Sequence, residues 1–312
     1  MSRRSTLRST VARLMAHTQS TNTRRAYAAD LRHFRAAGHC VPCTAKTLVE
    51  YLARYAGVLG VSTLQRRLVA IRHAHKQLGV PSPTNHVSVK QLMRGIKRTY
   101  GVQQRQAKPL LAHELAEVVK RMGRQTVDER DRALLLMGFA GAFRRSELVR
   151  LRAEDLERTN EGLFVRLVSS KTDQERKGRI VAVPCVRGPL CAVCACGRWL
   201  VRAGIRRGPV FQRLDVHGKP LGVAIADAAV SDVLRRRLAL AGIDPRGYSA
   251  HSLRAGLVTA AAKAGVPGWK IRQQTGHRSE AVLARYIRDV DMWTGNAAAL
   301  AVQRRLSRPA RG

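Results

Sequence analysis

The N-terminal third of the sequence is a succession of amphipathic segments with helical spacing, and this pattern restricts the fold more than any other feature. The polar run Thr21-Asn22-Thr23 can cap a first helix that extends to about Ala37, with apolar residues at i, i+4 and i+7 on one face. Such segments are predicted to begin near Thr21, Thr44, Gly60 and Ser88. We therefore predict an all-helical domain over residues 21–103, preceded by a basic arm over residues 1–20.

A polar stretch that ends at Pro109 lacks apolar periodicity and predicts a linker over residues 104–110. Beyond it, two β-branched segments flank a polar turn, which is typical of a hairpin. The predicted elements are helices over 112–122 and 129–140 and strands over Leu163–Val168 and Arg179–Val183. The sequence thus predicts a mainly α fold with a small antiparallel sheet. Its mixed α+β domain would span residues 111–293, followed by a short helix and basic tail over 294–312.

The charge of the chain identifies its class of partner. Lys and Arg number 57 against 21 Asp and Glu, a formal net charge of +36, and 46 of the 57 cations are arginines. A chain this basic repels itself unless a polyanion is nearby, and guanidinium groups match the geometry of phosphate. We therefore expect nucleic acid as the partner.

The sequence contains no run of the ~18 apolar residues that a membrane span needs, and no apolar signal core follows the basic N-terminus. Six cysteines among 312 residues are too few for a disulfide scaffold. We expect a cytoplasmic protein without a membrane partner.

The cysteines have partial zinc-site spacing, in Cys40-Val-Pro-Cys43 and in a cluster that comprises Cys185, Cys191, Cys194 and Cys196. A structural zinc site needs four ligands in tetrahedral geometry. The sequence favours reduced, partly buried thiols, so we expect no metal.

Reactive side chains recur in order through the second half of the chain. An arginine at a predicted helix start is followed three residues later by a carboxylate that can orient it. Taken singly, each such group is also typical of a surface ion pair, a turn lysine or a packing tyrosine, and Lys177 is a rival to Lys171 in the same turn. The ordered groups are Arg144 with Glu147, Lys171, His251 with Arg254, His277 and Tyr286.

Taken together, these residues resemble the signature of the tyrosine recombinase (phage integrase) family. The motifs that carry the resemblance are Arg144-x-x-Glu147, Lys171, His251-x-x-Arg254, Gly276-His277 and Tyr286. The 23-residue interval from Arg254 to His277 and the nine-residue interval from His277 to Tyr286 are similar to the usual spacing. The simple two-domain, Cre-type members are the most similar, although Cre has tryptophan in place of His277. The resemblance implies a helical core-binding domain and a catalytic domain of the DNA breaking-rejoining type.

The resemblance also implies a reaction. Tyr286 would attack a DNA phosphodiester and form a 3′-phosphotyrosyl bond, without metal, nucleotide or other cofactor. Arg144, Arg254 and His277 would hold the non-bridging oxygens.

Three further residues receive supporting roles from the resemblance. Lys171 would protonate the departing 5′-oxygen, His251 would assist proton transfer at the nucleophile, and Glu147 would support the site.

Double-stranded DNA with inverted-repeat sites is the implied partner, bound by a homo-tetramer. The resemblance places polar faces of the first and third helices in the major groove, and Arg66 is the best candidate for reading a guanine edge. The candidate DNA-contacting residues are Thr23, Arg25, Thr63 and Arg66. The helix predicted within residues 294–312 would dock on a neighbouring protomer; the alternative is that it folds back on its own domain.

Two other functions fit parts of the pattern. A type IB topoisomerase would use the same residues to cut and reseal one duplex, although a separate helical domain suits site-specific clamping better. A DNA-binding accessory protein without catalysis would lack the nucleophile or an arginine, and the sequence retains both.

Overall fold

The computed structural model describes residues 21–102, 107–167 and 178–277. The chain divides into two compact units, with the boundary between Arg105 and Gln106. The arm over residues 1–20, the predicted tail helix over 294–312, Lys171 and Tyr286 all lie outside the described residues.

The N-terminal unit is helical throughout its described part. Its elements are α1 (Thr21–Ala36), α2 (Ala45–Tyr55), α3 (Val61–Gln77), a 3-10 turn (Pro83–Asn85) and α4 (Val87–Tyr100). Thr44 caps α2, since its hydroxyl accepts the N–H of Thr47 at 3.2 Å. The helices share one apolar core, which contains Phe34, Leu48, Tyr51, Leu52, Leu64, Ile71, Val89 and Ile96. Tyr100, expected on the inner face of the fourth helix, is instead 47% exposed. The fourth helix begins at Val87 rather than at Ser88, because the His86 imidazole caps it by accepting the Ser88 N–H.

The C-terminal unit combines helices with two small antiparallel sheets. Its helices are α5 (Ala112–Lys120), α6 (Thr126–Ala140), α7 (Arg145–Arg150), a 3-10 turn (Ala153–Asp155), α8 (Ala192–Arg202), α9 (Ala229–Leu240), α10 (Ala250–Lys263) and α11 (Gly268–Thr275). Its strands are β1 (Leu156–Arg158), β2 (Gly162–Leu167), β3 (Arg179–Pro184), β4 (Gln212–Leu214) and β5 (Pro220–Ala224). The predicted fold class, mainly α with a small antiparallel sheet, is confirmed.

The larger sheet has the order β1-β2-β3, and Val165 pairs with Val181 at its centre. Alternate residues of β2 and β3 are buried, which places their β-branched side chains in the core. The sequence predicted β2 and β3 but neither β1 nor the β4–β5 hairpin. Those strands are short, and each of β1 and β4 spans only three residues.

Helix α6 is the central helix of the C-terminal unit and is buried on nearly every side. It begins three residues earlier than predicted, because the Asp128 carboxylate accepts the N–H of Gln125 and caps the helix. Asp131 on this helix is fully buried and forms ion pairs with Arg130 at 2.7 Å and with Arg237 of α9 at 2.7 Å. A buried carboxylate needs such partners, so the pairs fix α9 against α6.

The end of the predicted linker packs on the C-terminal unit. The N–H of Lys108 donates to the carbonyl of Gly247 at 3.0 Å, and the N–H of Leu110 donates to the carbonyl of Ser252 at 2.9 Å. Because Leu110 is fully buried, these residues are part of that unit rather than a free connection. Within the described residues, no helix is long and apolar enough to cross a membrane.

Candidate active site

Arg144 lies in the short turn between α6 and α7. It is the N-cap residue of α7, and its backbone N–H donates to Glu147 Oε2 at 2.8 Å. Its guanidinium Nη1 donates to Glu147 Oε1 at 2.7 Å. The carboxylate three residues on therefore caps the helix and orients the guanidinium at the same time.

Glu147 is buried, with 2% of its side chain exposed, and it also contacts an arginine from a distant part of the chain. Arg179 Nη2, at the start of β3, lies 3.3 Å from Glu147 Oε2. One buried carboxylate thus holds two guanidinium groups that are each about one-fifth exposed.

Arg179 is a site residue that the sequence analysis missed. Its Nη1 donates to the carbonyl of Gln274 in α11 at 2.9 Å, so Arg179 connects the sheet to the helix that precedes His277. The signal in the sequence was weak, because an arginine that begins a β-branched segment is typical of an edge strand. Its position in the sequence, directly after the predicted turn that contains Lys171, was the feature that could have indicated it.

Arg254 lies on α10 with 2% of the residue exposed. Its Nη1 donates to the carbonyl of Ala142 at 2.7 Å, two residues before Arg144. Ala142 is buried and has φ of +46°, a left-handed conformation that is unfavourable for a residue with a Cβ. The hydrogen bond from Arg254 therefore helps to hold a strained turn at the site.

His251 precedes Arg254 by one helical turn, so the two side chains share a face of α10, as their spacing predicts. Although the His251 residue is exposed, the loss of hydration among surrounding protein atoms lowers the pKa of its imidazole, and the charges of Arg254 and Arg144 lower it further. His251 is therefore biased toward the neutral form that can accept a proton.

Gly276 ends α11 in the left-handed conformation, with φ of +65°. Its carbonyl accepts a hydrogen bond from Arg144 Nη2 at 3.3 Å. A Cβ at this position would lie 2.9 Å from the guanidinium of Arg179. Glycine thus satisfies both the backbone conformation and the close approach of Arg179.

His277 follows this glycine and is oriented by Thr275. The hydroxyl of Thr275 donates its one hydrogen to the carbonyl of Ile271 at 2.7 Å and lies 2.8 Å from His277 Nδ1. The hydroxyl oxygen can therefore only accept from the imidazole, which places the proton of the neutral ring on Nδ1 and leaves Nε2 as the basic nitrogen. Burial, followed by the charges of Arg254 and Arg144, lowers the pKa of His277 to about 3.

The structure brings together five of the seven residues predicted for catalysis and its support, namely Arg144, Glu147, His251, Arg254 and His277. Lys171 and Tyr286 lie outside the described residues. The assembled groups form a positively charged site in which hydrogen bonds to Glu147 and to backbone carbonyls hold the guanidinium groups in place. This arrangement can bind a phosphate group and stabilise charge that develops on its oxygens.

The candidate DNA-contacting residues lie on α1 and α3 of the other unit. Arg25 and Arg66 are exposed, whereas Thr23 and Thr63 are half-buried. Arg66 forms a bidentate ion pair with the buried Asp30, with Nε 2.8 Å and Nη2 2.9 Å from the carboxylate oxygens. The guanidinium therefore already has an anionic partner within the protein.

The sequence of this chain is similar to known proteins over most of its length. Residues 108–292 match the Phage integrase family. The chain is 33% identical to an integrase/recombinase XerD homologue of Selenomonas ruminantium, over 91% of this chain and 86% of the relative. It is also 26% identical to the recombinase Cre of Escherichia phage P1, over 76% of this chain and 73% of the relative.

Among solved structures, the fold is similar to that of a lambda integrase tetramer bound to a Holliday junction. The TM-score is 0.60 at 15% sequence identity, and the similarity covers 86% of this chain and 72% of that one.

Proposed function

The chain belongs to the phage integrase family and is a tyrosine site-specific recombinase, and from this premise we propose that it cuts and rejoins DNA through a covalent 3′-phosphotyrosyl intermediate. The observation that carries the proposal is that Arg144, Arg254 and His277 lie close enough together to form one positively charged site. Negative charge grows on the non-bridging oxygens when a nucleophile attacks phosphorus. The guanidinium groups of Arg144 and Arg254 are fixed cationic donors that stabilise this charge without reorganising, and His277 can donate once its Nε2 has taken up a proton.

In the proposed reaction the phenolic oxygen of Tyr286 attacks phosphorus, and the bond from phosphorus to the 5′-oxygen breaks. His251 accepts the phenolic proton, and Lys171 donates a proton to the departing 5′-oxygen. The phosphotyrosyl bond keeps the energy of the phosphodiester, so a 5′-hydroxyl can reverse the step and rejoin the strand with neither ATP nor metal. Arg144→Ala or Arg254→Ala should lower cleavage by about 10²–10³-fold, the scale for one lost charge-stabilising donor.

The decisive experiment uses a nicked duplex that traps the covalent adduct. Tyr286→Phe should bind this DNA and form no adduct, whereas Tyr100→Phe serves as a control at an exposed tyrosine in the other unit. An adduct formed by Tyr286→Phe at the native level would refute the assignment.

Strand exchange requires two duplexes, each cut on both strands, so we infer a homo-tetramer on inverted-repeat sites that proceeds through a Holliday junction. The lambda integrase of similar fold forms a tetramer on such a junction. We expect this activity in the cytoplasm, with the protein on the nucleoid when it is bound to DNA. With a net charge of +36, free protomers repel each other, and DNA would bring them together.

An apolar groove in the C-terminal unit supports the predicted exchange of the helix within residues 294–312. The groove has a volume of about 390 Å³, and its lining includes Leu115, Phe139, Leu257, Ala261 and Ile271. An amphipathic helix from a neighbouring protomer is the proposed occupant. In a ring, each protomer would donate this helix to the next.

Two variants test the exchanged helix from both sides. Truncation after Asp291 and Ala261→Glu in the groove should each leave single-site binding and Tyr286 chemistry measurable while abolishing synapsis. Normal recombination by the truncated protein would overturn the assembly.

Type IB topoisomerase activity is the alternative for the same chemistry. A topoisomerase relaxes supercoiled DNA that lacks recombination sites and leaves two linear duplexes unexchanged. Relaxation without any joint molecule from site-bearing duplexes would favour that alternative.

The role of Arg66 in DNA binding has two interpretations, a contact that reads a base and a contact to phosphate, and its ion pair with Asp30 has to be separated from both. If Arg66 reads a guanine, Arg66→Ala should lose ~1–3 kcal/mol of discrimination at one base pair. An equal loss on every sequence would instead assign Arg66 to a phosphate contact. Asp30→Asn separates the ion pair from the DNA contact, because it frees the guanidinium without removing it.

A further inference from the structure

Three thiols converge where strand β3 ends and helix α8 begins, in a part of the molecule that the proposed chemistry does not use. Cys185 directly follows β3, Cys191 is the N-cap residue of α8, and Cys194 lies in its first turn. Cys185 Sγ lies 3.7 Å from Cys191 Sγ and 4.0 Å from Cys194 Sγ. All three sulfur atoms lie within 4.8 Å of one another.

These separations match a tetrahedral metal site. Thiolates bound to Zn²⁺ at ~2.3 Å in tetrahedral geometry have their sulfur atoms about 3.8 Å apart. The separations from Cys185 are close to this value, and small rotations about the Cα–Cβ bonds can adjust the third. The sulfur atoms are much farther apart than the ~2.05 Å of a disulfide.

The backbone around the thiols holds this arrangement. The N–H of Cys185 donates to the carbonyl of Glu161 at 2.8 Å, which fixes the chain as it leaves the sheet. Gly188 has φ of +99°, and its carbonyl accepts the N–H of Cys191 at 3.3 Å, so the connecting loop turns back toward Cys185. The geometry is thus built by a strand end, a glycine turn and a helix start.

The first turn of α8 favours negative charge at the sulfur atoms. The N–H of Cys194 points at Cys191 Sγ, with an N to S distance of 3.4 Å. Unsatisfied N–H groups at a helix N-terminus stabilise thiolates. Three thiolates and one divalent cation carry a net charge of −1, which is favourable in a chain with a formal charge of +36.

The remaining cysteine of this segment does not share the site. Cys196 is 1% exposed and belongs to the hydrophobic core of the C-terminal unit. Cys40 and Cys43 belong to the other unit. The structure therefore separates three candidate ligands from the other three cysteines, which the spacing in the sequence could not do.

We propose that Cys185, Cys191 and Cys194 bind one Zn²⁺ as three thiolates, with water as the fourth ligand because Cys185 is exposed. This proposal replaces the expectation from the sequence that the cysteines hold no metal. On binding, each ligand thiol releases its proton to solvent, and no redox step is involved. The ion fastens the end of β3 to the start of α8, and β3 carries Arg179 at its other end.

The test is the zinc content of the full-length, DNA-free protein, purified without chelators and then reconstituted with Zn²⁺ under reducing conditions. The native chain should hold one zinc. Cys185→Ser, Cys191→Ser and Cys194→Ser should each lose tightly bound zinc, whereas Cys196→Ala and the exposed Cys40→Ser should keep it.

Two further measurements separate loss of the metal from loss of the fold. Co²⁺ in place of Zn²⁺ should give a thiolate-to-metal charge-transfer band in the native protein and in Cys40→Ser, but a weaker or absent band in Cys185→Ser. A chelator should lower the melting temperature of the native protein to that of Cys185→Ser and leave the variant unchanged. Failure of the reduced native protein to bind either ion, or equal binding by Cys185→Ser, would overturn the proposal. None of these measurements involves DNA, so they stand independently of the proposed recombination chemistry.

Discussion

Replacing Glu147 with glutamine removes one negative charge from the centre of the candidate site. The carboxylate accepts the backbone N–H and Nη1 of Arg144 and lies 3.3 Å from Nη2 of Arg179. Glutamine keeps one acceptor oxygen, but its amide NH₂ faces a guanidinium that has no use for another donor. The variant thus leaves two largely buried cations without their shared anion.

The structure sets the size of the effect. Removing one partner of a buried ion pair costs ~3–5 kcal/mol. The two guanidinium groups are 21% and 20% exposed, and water partly screens them, so we expect the lower end of this range, about 3 kcal/mol. For a unit of this size, that loss should lower the urea midpoint of unfolding by about 1 M.

Tryptophan fluorescence is a suitable assay, because Trp199, Trp269 and Trp293 all belong to the C-terminal unit. Asp155→Asn is the matched control, since Asp155 caps its 3-10 turn through the N–H of Arg152 in the same way but on the exposed surface. It should change the midpoint little. If Glu147→Gln unfolds at the same urea concentration as Asp155→Asn, the shared-anion argument is refuted.

Three more predictions concern the end of α11. Gly276→Ala should destabilise the C-terminal unit by ~1–2 kcal/mol because of the positive φ alone. The loss should exceed that of Gly265→Ala, where φ is +74° but no atom lies within 4 Å of the added Cβ. Equal urea midpoints for the two variants would contradict this prediction. Because the folded protein holds the pKa of His277 at about 3, below the ordinary 6.5, the unfolded chain takes up the proton first and stability falls as pH drops from 6.5 toward 3. His277→Gln should reduce that slope by at most ~1.4 kcal/mol per pH unit, measured from urea midpoints at several pH values. Because Nε2 of the neutral His277 ring carries no proton, His277 must take up a proton before Nε2 can donate to a phosphate oxygen. Calorimetry in buffers of different ionisation enthalpy should therefore show proton uptake when the native protein binds DNA, and less uptake for His277→Gln.

The predictability of this fold from sequence depended on how local each interaction is. The helices of the N-terminal unit were predictable because caps such as Thr44 and the apolar spacing lie within each segment. The orientation of Arg144 by Glu147 was likewise readable, since both residues lie on one helical turn. Arg179 was not predictable, because its partners are 32 and 95 residues away.

The left-handed turn at Ala142 was hidden for a related reason. No glycine marks the position, and the hydrogen bond that helps to hold it comes from Arg254, 112 residues later. The three-thiol cluster was visible as a set of cysteines, but the exclusion of Cys196 depends on which face of α8 enters the core. Long-range packing decides all of these features, and the sequence pattern carries little information about it.

The anchoring of the site arginines to the protein has a consequence for the thermodynamics of DNA contact. Arg144 is held by Glu147 and by the carbonyl of Gly276, and Arg254 is held by the carbonyl of Ala142. A free arginine side chain loses ~2 kcal/mol of rotamer entropy when it is immobilised. In this chain much of that loss occurs on folding, before any phosphodiester arrives. The affinity of the site for phosphate should therefore depend less on ordering its side chains than on the exchange of water and counterions for DNA.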